Sequence, residues 1–149
     1  MILLAHLLFG AAISLKIEYF WLALILAFFS HYFLDLFPHT EYPIENIKNN
    51  QWRKSLPDFL RVVADFVLGI LIIFLVSENS LKIYICALTA VLPDMLTLLN
   101  KFLNIGLLKK HDYFHLEKIH FLKDKKIPQF WRFLTQIVVI VISILLLKS

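Results

Sequence analysis

Glycine is almost missing from this chain, with three in 149 residues. That scarcity excludes the glycine-rich loops that cradle nucleotide phosphates. A single cysteine, Cys86, excludes an intrachain disulfide and a cysteine-based metal cluster. It lies in an apolar run and reads as packing. No stretch alternates apolar and polar residues at the two-residue period of a half-buried strand. No linker or low-complexity tail divides the chain, so residues 1–149 read as one domain. The apolar start lacks the basic stretch and small-residue cleavage site of a secretory signal, and no cleavage is expected.

What is present is apolar surface. Hydrophobic residues make up 60% of the chain, against about 45–50% in soluble domains. They gather into five segments: Met1 to Leu15, Tyr19 to Phe37, Asp58 to Val76, Leu81 to Leu103 and Gln129 to Leu147. A spanning helix needs about 20 mostly apolar residues. The first segment falls short of that and reads as a tilted or partly inserted helix. Segments of this kind without strand alternation predict an all-α integral membrane protein. The expected fold is a bundle of about five transmembrane or membrane-embedded helices plus a basic amphipathic helix from Asn104 to Pro128. Trp21, Trp52 and Trp131 read as interface anchors.

Charge orients the bundle. If all five segments cross, the N-terminus, the 38–57 loop and the 104–128 loop share one side. That side carries Lys48, Arg53, Lys54, Lys109, Lys110, Lys118, Lys123, Lys125 and Lys126. The other carries Lys16, Lys82 and Lys148. The excess of basic residues on cytoplasmic loops then predicts a cytoplasmic (inner) membrane protein with the N-terminus and basic loop in the cytoplasm. The basic run and its aromatics suit the lipid bilayer and anionic headgroups rather than nucleic acid. The oligomeric state is not encoded in any of these patterns.

The costly residues collect on that same side. His31, Asp35 and His39 recur every four residues at the end of the second segment, a spacing that makes neighbours on one helical face. Pro38 ends the helix first, so His39 is expected to cap the site from a loop. His6 opens the first segment, Asp65 lies early in the third, and Asp94 lies about 13 Å from the near end of the fourth at 1.5 Å per residue. His115 and His120 fall in the basic loop. Ionisable groups at membrane depth are functional candidates by default. Histidine with carboxylate suits a divalent metal, zinc first, with manganese or iron as alternatives. The candidate ligands are His6, His31, Asp35, His39, His115 and His120, enough for one or two ions.

Simpler readings stand beside each. His6 could be an interfacial histidine. Asp65 follows Arg61 by four residues and could pair with it, with Asp58 competing for the same arginine. Asp94, after Pro93, could satisfy a broken helix. His115 and His120 do not share a face on a straight helix, and His111, flanked by Lys110, reads as solvated.

Four pieces resemble a known family: His6-Leu7-Leu8-Phe9-Gly10, Ser30-His31-Tyr32-Phe33-Leu34-Asp35, Pro93-Asp94, and His115 with His120 four residues between. Together they resemble the membrane-bound metal-dependent hydrolase-like proteins, which include the LexA-binding inner-membrane proteins of bacteria. That family is in turn similar to the helical zinc-dependent phospholipase C. The resemblance implies His6, His31, Asp35, Asp94, His115 and His120 as site residues. Departures are present: Met95-Leu96 replaces the family's second aspartate, and Leu-Glu-Lys-Ile stands between His115 and His120.

The expected function is metal-assisted hydrolysis of a phospho- or acyl-ester at the cytoplasmic membrane face. Asp94 or Asp65 would be the general base or orient a ligand, and Arg61 or a loop lysine would bind phosphate. Two alternatives use the same residues: a non-enzymatic scaffold fixed by a His/Asp network, and a proton- or metal-ion-handling protein.

Overall fold

The computed structural model describes the chain except residues 43, 44, 50, 104, 123 and 124 and the side chains of Glu45, Lys48 and Trp52. The contributions expected of Lys48, Lys123 and Trp52 lie outside what is described. The described residues are helical, with no strand among them: α1 (Leu3–Lys16), α2 (Phe20–Asp35), α3 (Glu45–Lys48), a 3-10 turn (Trp52–Lys54), α4 (Leu56–Val76), α5 (Leu81–Leu103), α6 (Gly106–Tyr113), a π-helical stretch (Phe114–Ile119) and α7 (Gln129–Lys148).

By length and hydropathy, α4, α5 and α7 can cross a membrane. At 14 and 16 residues, α1 and α2 are about 21 and 24 Å long, short of the ~30 Å hydrocarbon core. The outer faces agree with immersion in lipid. Leu60, Val63, Val67, Leu71 and Phe74 of α4 are all exposed, an apolar stripe that a monomer in water rarely tolerates.

Local chemistry sets the helix ends. Pro38 lies three residues beyond α2, whose last turn closes with Leu36 N–H donating to the Tyr32 carbonyl at 3.2 Å. Asn79 has a φ of 55° in the turn before α5, a left-handed conformation that asparagine adopts more readily than most residues. Pro57 is the second residue of α4, within the first turn, where its missing N–H costs no helical bond.

The short helix α1 is the centre. It packs against α2, α4, α5 and α7. Leu4, Leu7, Leu8, Ala11 and Ala12 meet Ile73, Ile83, Ala87, Val91 and Leu147 in the main core. The partly inserted helix read from its length is thus the one most enclosed by protein. Close approach depends on small residues, as in other membrane bundles. A Cβ on Gly10 would lie 2.6 Å from Ala90 Cβ and 2.8 Å from the Cys86 carbonyl. Ala23 and Ala27 of α2 bury against Cys86 and Ala90 of α5, so the cysteine does pack the core.

Hydrogen bonds separate the two ends of the bundle. At one end Leu3 meets Tyr42, Leu4 meets Asp65, and Arg132 Nη1 donates to the His39 carbonyl. At the other end Lys16 Nζ donates to Ser149 Oγ and Lys82 Nζ donates to the Ile17 carbonyl. The first end holds the histidines.

A candidate metal centre

Asp35, the last residue of α2, is 1% exposed, and five imidazoles surround its carboxylate. Oδ2 lies 3.1 Å from His31 Nε2, 3.1 Å from His120 Nε2 and 3.3 Å from His115 Nε2. Oδ1 lies 3.3 Å from His6 Nε2 and 3.7 Å from His39 Nε2, and also contacts the Met1 amino group. Asp94 Oδ1 sits 3.6 Å from His31 Nε2 and 4.0 Å from His115 Nε2. Three overlapping groups can each hold a metal ion: His6, His31 and Asp94; His31, Asp35 and His115; Asp35, His39 and His120.

The other nitrogen of each ring explains this aim. His31 Nδ1–H donates to the Ala90 carbonyl at 2.8 Å. Pro93, three residues on in α5, has no N–H and crowds that turn. His39 Nδ1–H donates to the Phe37 carbonyl at 2.8 Å. His115 Nδ1 lies 3.1 Å from Thr97 Oγ1, and His120 Nδ1 lies 3.4 Å from Glu41 Oε1. Three rings are therefore held from outside by a bond at Nδ1, His120 Nδ1 faces the Glu41 carboxylate without a hydrogen bond, and all four turn Nε2 inward. Metal-binding histidines recur in this arrangement, a carbonyl, hydroxyl or carboxylate fixing the tautomer and the ring plane.

The inward nitrogens crowd one another. His31 and His115 bring Nε2 atoms to 3.1 Å, and His115 and His120 to 3.2 Å. Two donors bound to one ion at about 2.0–2.1 Å in tetrahedral array stand roughly 3.3 Å apart. Once Nδ1 carries the proton, such a pair of Nε2 lone pairs has no hydrogen between them. A shared cation resolves that repulsion. His6 adds a second sign: it is wholly buried, and neither ring nitrogen has a hydrogen-bond partner. The donor set therefore fits a metal ion.

Electrostatics differ between the two rings outside the helices. Burial, helped by the nearby Met1 amino group, pushes His39 down to about 4, so the ring is neutral near neutral pH, as a ligand must be. Burial also opposes charge on His120, but the carboxylates of Asp35 and Glu41 outweigh it and raise this ring.

Winding decides whether His115 and His120 meet. The chain from Phe114 to Ile119 is π-helical, and His120 N–H donates to the His115 carbonyl five residues back at 3.2 Å. A straight α-helix would part these side chains. π-turns inside helices are frequent at functional sites.

Asp65 is placed elsewhere. Its Oδ2 accepts the Leu4 N–H at 2.8 Å and the Tyr42 hydroxyl proton, and it belongs to none of the three ligand groups. Arg61 Nη1 lies 3.2 Å from Asp58 Oδ1, so the competing partner is engaged. His111 is also outside those groups, with Nε2 2.9 Å from the Tyr32 hydroxyl. Sequence reading missed Thr97, Glu41, Tyr42 and Gln136. Of these only Gln136 left a signal, as a lone amide within an apolar segment.

No family model, curated protein or solved structure matches the chain. Fold and site together define its class: a protein whose described residues form helices without strands, three of those helices long and apolar enough to cross a membrane, around a buried His/Asp cluster that could hold a metal ion.

Proposed function

We propose that the protein is a membrane-embedded, metal-dependent hydrolase acting on a phospho- or acyl-ester at the cytoplasmic face of a bacterial inner membrane. The observation that carries this reading is the set of imidazoles aimed by Nε2 at Asp35, three of them held by a hydrogen bond at Nδ1 and His120 with Nδ1 beside Glu41. His6, His31, His39, His115, His120 and Asp35 hold zinc, or manganese or iron in its place. With Asp94 they outnumber the four donors of one tetrahedral ion, so the set would suffice for more than one ion.

When bound, the metal lowers the pKa of a coordinated water and supplies hydroxide at neutral pH. The chain supplies the rest. Asp94 is the accessible edge of the cluster, its side chain 34% exposed while Asp35, His6 and His31 are closed off. It accepts the proton of the attacking water as general base. Lys101, Lys109 and Lys110 at the same end attract an anionic headgroup. A groove of about 410 Å³ between α1, α2 and α7 begins at Phe9, one turn below His6, and continues past Ile13, Leu26, Phe29 and Phe33. Its apolar lining suits the chain of a lipid ester.

The relay alternative has little to run on. In the far half, Ser14 Oγ donates to the Ala11 carbonyl and Ser143 Oγ to the Val139 carbonyl, each at 2.7 Å in its own helix. The scaffold alternative draws on the near-complete burial of Asp35 and His31. Metal content separates it from the hydrolase. Detergent-purified wild type is expected to carry zinc, manganese or iron at or above one ion per chain, and His31→Ala and Asp35→Ala to lose it while staying folded. Phosphoester and lipid substrates are then screened with the loaded protein. Wild type without metal, even after reconstitution, would leave the scaffold.

A further inference from the structure

A helix begins with N–H groups that have no partner inside it. In α1 those groups are met by side chains from three other parts of the fold. Ile2 N–H donates to Gln136 Oε1 of α7 at 3.3 Å, Leu3 N–H to the Tyr42 hydroxyl at 2.8 Å, and Leu4 N–H to Asp65 Oδ2 of α4 at 2.8 Å. The Tyr42 hydroxyl in turn donates to Asp65, so two of the three caps are joined. Residue Ile2, at the N-cap position, makes no side-chain cap of its own.

His6 lies two residues beyond the last capped amide. Its Nδ1 has no hydrogen-bond partner; that of His120 has none either but lies 3.4 Å from the Glu41 carboxylate. Its ring stacks on His31 with centroids 4.0 Å apart, a contact that leaves sliding and rotation in the stacking plane open. The position of its Nε2 is therefore inherited from the helix that carries it, and the first turn of that helix is fixed by the three caps.

We propose that Tyr42, Asp65 and Gln136 form a positioning device that sets the start of α1, and through it places His6 in the metal centre. The inference rests on the metal reading above. In it, Asp65 acts through the oxygen that accepts Leu4 N–H and the Tyr42 proton. Its negative charge is not used on a metal or on water. Tyr42 works as acceptor and donor at once, and burial together with the Asp65 carboxylate holds its phenol well above the ordinary tyrosine range, as a permanent donor requires.

The test uses zinc alone with the full-length protein in detergent. Affinity is read by competition with a chelating dye, the coordination sphere by the visible spectrum of the cobalt(II) form, and the cap by amide exchange over residues 1–10 in zinc-free protein. Asp65→Ala is expected to weaken zinc binding about 10–100-fold, as loss of groups that orient a ligand does, to alter the cobalt spectrum, and to speed exchange of the Leu3 and Leu4 amides. Asp65→Asn keeps an acceptor oxygen without the charge and is expected to stay close to wild type in all three. Tyr42→Phe should fall between them, and it carries the test if Asp65→Ala does not fold. The proposal is overturned if Asp65→Asn loses as much affinity as Asp65→Ala, since the charge would then act directly on metal or water. It is also overturned if Asp65→Ala and Tyr42→Phe bind zinc like wild type. The two levels fail differently: wild type that takes up no zinc removes the metal centre itself, whereas zinc-binding wild type with silent variants removes only this role.

Discussion

His115 and His120 bring their Nε2 atoms to 3.2 Å although five positions separate them in the chain. The π winding between them makes one donor pair from residues that an α-helix would part. Such a pair should behave as a unit. His115→Gln and His120→Gln are each expected to weaken zinc binding tenfold or more, and the double variant to lose less than the sum of the two, because partners in one site are not additive. Titration of the three variants beside wild type checks this; strictly additive losses would mean separate sites.

Asp94 touches the cluster from its open edge. Asp94→Asn is expected to keep most of the bound metal and to lose about 10²–10⁴-fold in turnover, the range for removal of a positioned base. Metal content and rate are measured on one preparation. Full loss of metal would make Asp94 a ligand first.

Acid should loosen the metal-free fold through His39. Its ring is held at about 4 in the folded chain, below the ordinary histidine value of about 6.5. The unfolded chain therefore binds the proton more readily between those values. Stability on this account is complete above about pH 6.5 and is lost as pH falls toward 4, by up to about 3 kcal/mol. Thermal unfolding of zinc-free protein from pH 7 to 4.5 should show the decline, and His39→Gln should flatten it.

Close packing gives a contrast between two glycines. Gly10→Ala forces a Cβ to within 2.6 Å of Ala90 Cβ, and overpacking of this sort costs about 1–3 kcal/mol. Because α1 carries His6 and α5 carries Asp94, zinc affinity should drop with thermal stability. Gly106→Ala meets nothing within 4 Å and should change neither. Equal melting temperatures for the two would refute the tight crossing of α1 and α5.

Much of the cluster is legible in the sequence, for an energetic reason. His6, His31, Asp35 and Asp94 interrupt apolar segments, where polar groups are costly enough to demand a purpose. His39 was legible through Pro38, which breaks the helix and puts the ring in a loop that folds back. Asp65 shows where such reading stops. Spacing along its own helix suggested Arg61, but its partners come through space from α1 and from the loop bearing Tyr42. The π winding was equally hidden, since no local propensity in Phe114 to Ile119 encodes a five-residue hydrogen bond. The central place of α1 was masked by its length: a helix too short to reach across lipid can still be enclosed by neighbours that do.

That enclosure has a consequence for biosynthesis. The helices that surround α1 all follow it in the chain, and α7, which supplies Gln136 to its first turn and Arg132 to the His39 carbonyl, is the last of them. A nascent chain halted before residue 129 carries all the residues of the cluster but lacks these two supports. The partners of the Ile2 N–H and the His39 carbonyl are therefore added only when α7 docks, after every residue of the cluster has been made.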